Sequence, residues 1–259
     1  MTTSVSKTKA TPKTTATPKS EAAAKTKPKK ATKRGSAKAP EVSPPGDAPI
    51  LALAVCRDIV ATADGDGRVR TWQFTGTQLV ELGTLHESAD EPISSLATTG
   101  EGFVGAGTSL FSWTTAGEEL ARAALPAVAT SVAVRGDAVY VLAGKLLRFT
   151  LPDLRASGQW KHAKGVTSEL DVDDEGGRAL VLRDNKQVEL IDLVRRKSLA
   201  DWTRSSRKIK ALSARFSRAG TVLVVSDEDM RLSRVKDTTG RITGEEFMLG
   251  GYSNGPLVL

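Results

Sequence analysis

Val60-Ala61-Thr62-Ala63-Asp64-Gly65-Asp66-Gly67-Arg68-Val69-Arg70-Thr71-Trp72 decides how this chain is read. A short apolar run meets a tight polar turn, and a second run leads away from it to a large aromatic anchor. That pattern is a β-hairpin, with the glycines and aspartates supplying the turn. Four further segments repeat it: Phe103 to Trp113, Val139 to Phe149, Ala179 to Ile191, and Val222 to Leu232. The anchors Trp72, Trp113, Phe149 and Ile191 stand 41, 36 and 42 residues apart.

A repeat of about forty residues with four short strands per unit marks a β-propeller. In the second unit the strands are expected at Ile93–Thr98, Gly102–Ala106, Leu110–Thr114 and Leu120–Ala124, punctuated by Thr99-Gly100-Glu101, Gly107-Thr108-Ser109 and Ala116-Gly117-Glu118. First strands of the other units fall at Leu51–Val55, Ser131–Val134, Ser168–Val172 and Lys210–Phe216. Each second strand is a continuous run of Val, Ala and Leu, the pattern of a strand buried on both faces. The fold expected is therefore all-β, a propeller of about five four-stranded units over residues 50–259. Its ring either closes directly or is completed by a partner chain, because a set left open exposes sheet edges that invite pairing.

The units resemble degenerate WD40 repeats. In that family a His before the first strand, a Ser or Thr in the second, an Asp in the following turn and a Trp in the third form a hydrogen-bonded structural set. His86 precedes Trp113 by 27 residues and His162 precedes Ile191-Asp192 by 29. The first unit offers Thr62, Asp64 or Asp66, and Trp72; the fourth offers Asp184, and the fifth Ser226 and Asp227. No unit is complete: the second lacks the Asp, the third lacks both His and Trp, and the fifth has Leu232-Ser233 in place of Trp-Asp. The resemblance implies structural roles for His86, Trp113, Asp64, Trp72, His162 and Asp184, and an interaction platform rather than a catalyst.

Charge is confined to one end. Residues 1–45 hold ten Lys, one Arg and two acids, a net of +9, while the remainder carries 26 bases and 28 acids, a net of −2. This stretch is Lys, Thr, Ala, Pro and Ser with no aromatic residue, so it lacks the apolar surface to offset the entropy of ordering, and a disordered tail and linker are expected over residues 1–49. It looks like the lysine-alanine-proline tails of linker histones and of some bacterial nucleoid proteins. Lys7, Lys9, Lys13, Lys19, Lys25, Lys27, Lys29, Lys30, Lys33, Arg34 and Lys38 form an extended cationic arm that can track a phosphate backbone through counterion release without reading bases. A purely targeting or solubilising tail is the other reading, with Pro28 to Arg34 serving as a nuclear import signal in a eukaryote.

A second basic group follows an acidic stretch. Glu169 to Asp192 contains eight acids, and Arg195, Arg196, Lys197, Arg204, Arg207, Lys208, Lys210, Arg215 and Arg218 come after it. Arg195 and Arg196 belong to the turn between third and fourth strands. Trp202, Arg204, Arg207 and Lys208 fall in the loop between units four and five, on the rim that such propellers most often use, and make a candidate partner surface. Ordinary solvated loop charge balanced by nearby acids is the alternative.

The sequence offers no catalytic constellation, cofactor motif or metal-ligand spacing. The two histidines lie too far apart, without cysteine partners, to hold zinc. Asp64-Gly65-Asp66-Gly67 is followed by a strand rather than a phosphate-binding helix. Cys56 lies in an apolar run as a buried thiol, and a single cysteine excludes an internal disulfide. No run is long enough for a transmembrane helix, and there is no secretory apolar segment. The expectation is a non-enzymatic scaffold that docks a protein partner, with its arm on nucleic acid or another polyanion. It would work inside the cell: in cytoplasm or nucleoid if prokaryotic, in the nucleus if eukaryotic. The competing expectation is a structural subunit completed by another chain, its arm only a targeting or tethering element.

Overall fold

The computed structural model describes residues 48–161, 167–184, 187–201, 211–226, 231–235 and 247–248. The chain divides into Met1–Pro44 and Pro45–Leu259, and every described residue lies in the second unit. Tail residues Lys7 to Lys38, together with His162, Trp202, Arg204, Arg207, Lys208 and Asp227, lie outside the described residues.

The described residues form five four-stranded antiparallel sheets, each made from consecutive strands. The first holds β1 (Ile50–Cys56), β2 (Ile59–Asp64), β3 (Arg68–Phe74) and β4 (Leu79–Glu87). The second holds β5 (Ser95–Thr98), β6 (Gly102–Ala106), β7 (Ser109–Thr114) and β8 (Glu119–Ala124). The third comprises β9 (Ser131–Arg135), β10 (Ala138–Leu142), β11 (Leu146–Thr150) and β12 (Arg155–Trp160). The fourth comprises β13 (Thr167–Val172), β14 (Arg178–Arg183), β15 (Val188–Asp192) and β16 (Lys197–Asp201), and the fifth β17 (Ala211–Phe216), β18 (Val222–Ser226), β19 (Arg231–Val235) and β20 (Phe247–Met248). The hairpin pattern therefore places the bounds of these strands within one residue almost throughout. An exception is β5, which starts at Ser95 rather than Ile93. Pro92 just ahead has no N–H to give a ladder, although Ile93 is still fully buried.

Burial follows strand rank. The second strands β6 and β10 are buried at every position, as their unbroken apolar sequences require. The fourth strand β8 alternates between exposed and half-buried residues, the mark of an edge. First strands of successive sheets are neighbours, β1 with β5, β5 with β9, β9 with β13 and β13 with β17.

The core is correspondingly split into four parcels, each between two consecutive sheets. Ala54, Cys56, Ala61 and Val69 of the first sheet meet Leu96, Phe103, Phe111 and Trp113 of the second. Val104, Ala106 and Leu110 then meet Val132, Val139 and Phe149 of the third. Tyr140, Leu142 and Trp160 meet Leu170, Val181 and Ile191 of the fourth. Finally Leu180, Leu190 and Val188 meet Ala214, Val222 and Val224 of the fifth. Each of the second, third and fourth sheets thus uses one face for its predecessor and the opposite face for its successor, as the period-2 alternation of strands allows. The small residues Ala54, Ala61 and Ala63 opposite Phe103, Phe111 and Trp113 let one flat sheet approach a bulky one.

Candidate interaction surface

Three devices recur on this frame: turn locks built on buried aspartates, a polar ladder along the first strands, and an apolar face on the first sheet. The first lock is the hairpin with which the sequence was read. Asp64 is 3% exposed, and its Oδ1 accepts from the amides of Asp66 at 3.1 Å and Arg68 at 3.0 Å. Its Oδ2 accepts from the Arg70 guanidinium at 2.9 Å, and that guanidinium lies 5.9 Å from the Trp72 ring centre. The Trp72 indole N–H donates to Thr62 Oγ1 at 2.8 Å. Burial alone would raise the Asp64 carboxyl, but the Arg68 amide, the Arg70 side chain and the Asp66 amide outweigh it and hold it below the usual range. Gly67 completes the turn at φ 80°, where a Cβ would stand 2.2 Å from the Ser88 carbonyl oxygen. Thr62, Asp64 and Trp72, singled out from the sequence, are thus brought together; Arg70, the partner that joins them, was not.

The second unit is built otherwise. Trp113 is buried, stacks on Phe111 with ring centres 5.4 Å apart, and its indole N–H has no partner among the described residues. Gly105 stands where the first sheet has Thr62, and a Cβ there would come within 2.8 Å of the Trp113 ring. His86, near the end of β4, holds the Glu91 carbonyl oxygen at 3.0 Å through Nε2 and lies 4.8 Å from the Phe111 ring. Its ring is 6.2 Å from Trp113. The histidine therefore pins the link between two sheets to an aromatic stack. Asp184 is exposed in the turn after β14. Arg195 and Arg196 occupy the turn between β15 and β16, where Asp192 caps the Arg195 amide at 2.7 Å.

The polar ladder was not foreseen. Ser95 Oγ on β5 accepts from the Val132 amide of β9 at 3.0 Å, and Ser131 Oγ on β9 accepts from the Leu170 amide of β13 at 3.1 Å. At the next step Glu169 Oε2 accepts from the Ala214 amide of β17 at 3.1 Å, and Asp171 Oδ2 from the Phe216 amide at 2.7 Å. Ser213, at the same place in the fifth sheet, donates to Glu169 at 3.0 Å. Arg135 pairs with Asp171 at 3.1 Å, and Arg215 pairs with Glu169. Burial raises the Asp171 carboxyl above its ordinary value despite the Phe216 amide, Arg135 and Arg215. Ser95, Ser131, Glu169 and Ser213 occupy equivalent places, paired with Ala106, Leu142, Leu182 and Val225 of their own second strands, an equivalence that only the strand register reveals.

The apolar face is the third device. On the first sheet the register sets Leu53 beside Thr62 and Arg70, Val55 beside Val60 and Trp72, and Phe74 beside Leu79. Leu53, Val55, Phe74 and Leu79 are 59%, 49%, 53% and 54% exposed. Among the described residues no group of His, Cys, Asp and Glu is placed to hold a metal ion, and no helix is long and apolar enough to cross a membrane. Cys56 is buried at 2% exposure.

No family model and no curated protein matches the chain.

Proposed function

We propose that this chain is a non-enzymatic, WD40-like propeller scaffold that docks a protein partner, while its basic arm binds nucleic acid or another polyanion without reading sequence. The observation that carries the reading is the pairing of a regular array of sheets, ending in an exposed apolar face, with a net charge that resides wholly in residues 1–45. Sheets so built present rims and faces for recognition, and eleven cations on an extended chain release counterions from a phosphate backbone. The arm is tested by comparing the full chain with a variant lacking residues 1–45 in binding to random-sequence DNA and RNA over a salt series. Affinity that falls steeply with salt in the full chain and vanishes in the truncated one supports the arm; unchanged binding refutes it. The compartment that fits is cytoplasm or nucleoid in a prokaryote, or nucleus in a eukaryote.

The exposed face of the first sheet favours a second reading, in which the propeller is incomplete in one chain and another chain finishes it. Leu53 and Val55 stand where Val132 and Val134 stand in the third sheet, on the side that there meets a preceding sheet. In this reading the arm is a tether or targeting element. Light scattering on a body lacking the arm decides it: a stable, soluble monomer at all concentrations counts against it.

A further inference from the structure

Two Asp-Gly steps follow one another in the first hairpin, Asp64-Gly65 and Asp66-Gly67. Such a step carries its own reactive pair: a carboxyl carbon and, one residue on, an amide nitrogen that no side chain shields. The nitrogen can attack Cγ of the protonated carboxyl, and water leaves as a succinimide ring closes. Water then adds to either ring carbonyl. Opening at Cγ restores aspartate. Opening at the main-chain carbonyl leaves isoaspartate, with the chain now running through Cβ and Cγ and the α-carboxylate hanging from it. The water lost is regained, so mass is unchanged and no other reactant is needed.

The structure separates the two steps. Asp64 is 3% exposed, and its carboxylate is committed to the Asp66 and Arg68 amides and to Arg70. The Gly65 amide is turned to the Pro49 carbonyl at 3.0 Å. Neither half of that step is free to meet the other. Asp66 is exposed, and among the described residues nothing holds its carboxylate. Only the Gly67 amide is engaged, by the Asp64 carbonyl at 3.2 Å, and this bond closes the turn. It must open before the nitrogen can reach Cγ. Local opening of that kind sets how often the reacting groups meet. What keeps this turn closed is the Asp64 carboxylate, which clamps it through the Arg68 amide and the Arg70 guanidinium.

We propose that Asp66-Gly67 is the site at which this chain isomerises spontaneously, and that the Asp64 lock restrains the reaction. The product undoes its own restraint. An isoaspartate at position 66 lengthens the main chain between Asp64 and Arg68 by one methylene. The Arg68 amide is thereby drawn off Asp64 Oδ1, and the Gly67 carbonyl is drawn off the Ser88 amide that it accepts at 3.1 Å. The backbone there has no slack to absorb the change, since even a Cβ on Gly67 would stand 2.2 Å from the Ser88 carbonyl oxygen. The lesion releases the hairpin and, through Ser88, the link that follows β4.

Ageing the full-length protein in warm, mildly acidic buffer tests this, because trypsin releases residues 58–68 as one peptide carrying both steps. Isomers of equal mass separate by chromatography, and electron-transfer fragmentation tells position 64 from position 66. A synthetic peptide of the same residues gives the unrestrained rate. Isoaspartate is expected at 66 and not at 64, forming about tenfold or more slowly in the folded chain than in the free peptide. Asp66→Glu, whose extra methylene disfavours ring closure, abolishes it; this surface exchange leaves the unfolding midpoint in place, so the loss is not one of folding. Arg70→Met, which takes the guanidinium out of the lock, speeds the reaction at 66 by about tenfold. Isoaspartate at 64 in the folded chain, or none at 66, overturns the site. A rate at 66 that Arg70→Met leaves unaltered overturns the restraint.

Discussion

Replacing Asp64 by alanine removes the carboxylate that pairs with Arg70 and strips two amides of their acceptor. The pair is deeply placed, with side chains 9% and 4% exposed for Arg70 and Asp64. A guanidinium left in that position cannot recover its hydration without opening the hairpin. Breaking a buried pair in this way costs about 3–5 kcal/mol. For a domain of this size each kcal/mol lowers the midpoint by about 2–4 °C, so a fall of about 6–20 °C is expected. Asp64→Asn keeps an oxygen for the Asp66 and Arg68 amides and loses only the charge, so it falls between wild type and alanine. Urea unfolding followed by tryptophan fluorescence measures both, with Arg70→Met alone and combined with Asp64→Ala to complete a double-mutant cycle. The double variant should be much more stable than the sum of its parts, because no orphan charge remains. The sign with pH follows from the depressed carboxyl: its contribution is full above the ordinary carboxylate value near ~3.9 and is lost as pH falls through the lower folded value. The gap between wild type and Asp64→Ala must therefore close in acid. A cost under about 1 kcal/mol for alanine, or strict additivity in the cycle, would refute the lock as the source of the hairpin's stability.

Two further variants probe other parts of the array. Gly105→Ala drives a Cβ to within 2.8 Å of the Trp113 ring and 3.1 Å of Ile93; a loss of about 1–3 kcal/mol in urea unfolding is expected, and no loss would mean that the stack yields freely. Asp171→Asn tests the ladder through pH. A raised folded carboxyl means that the native state binds more protons than the unfolded chain between the ordinary value and its own, so stability falls as pH rises through that window. The asparagine variant flattens that slope, and an unaltered profile would remove Asp171 as its source.

The architecture was largely legible because a hairpin advertises itself locally. Gly102–Ala106 and Ser131–Val134 could be bounded from short apolar runs and the turn residues that flank them, and the structure places strands at Gly102–Ala106 and Ser131–Arg135. Unit one's Thr62, Asp64 and Trp72 were legible for the same reason, lying within one hairpin. Arg70 was not, since an arginine in a strand normally reads as a solvent-facing residue and only its burial reveals the pair. The ladder escaped because its partners are 37 to 45 residues apart, as with Ser95 and Val132 or Glu169 and Ala214, and serine carries no periodic signal. Trp113 shows how a motif can mislead by likeness: the same residue type as Trp72 stands over a glycine and stacks, rather than donating to a threonine.

Partition of the core into four parcels between consecutive sheets has a consequence for how damage spreads. Because every parcel joins segments adjacent in sequence, stability is a sum of local sheet terms and nearest-neighbour couplings, much as in a one-dimensional lattice. A lesion in the Leu180–Val222 parcel weakens sheets four and five and is screened from the first by three intact junctions. Amide exchange in such a molecule should grade along the chain instead of collapsing as one unit, and the emerging polypeptide can add each sheet to a finished neighbour as it leaves the ribosome.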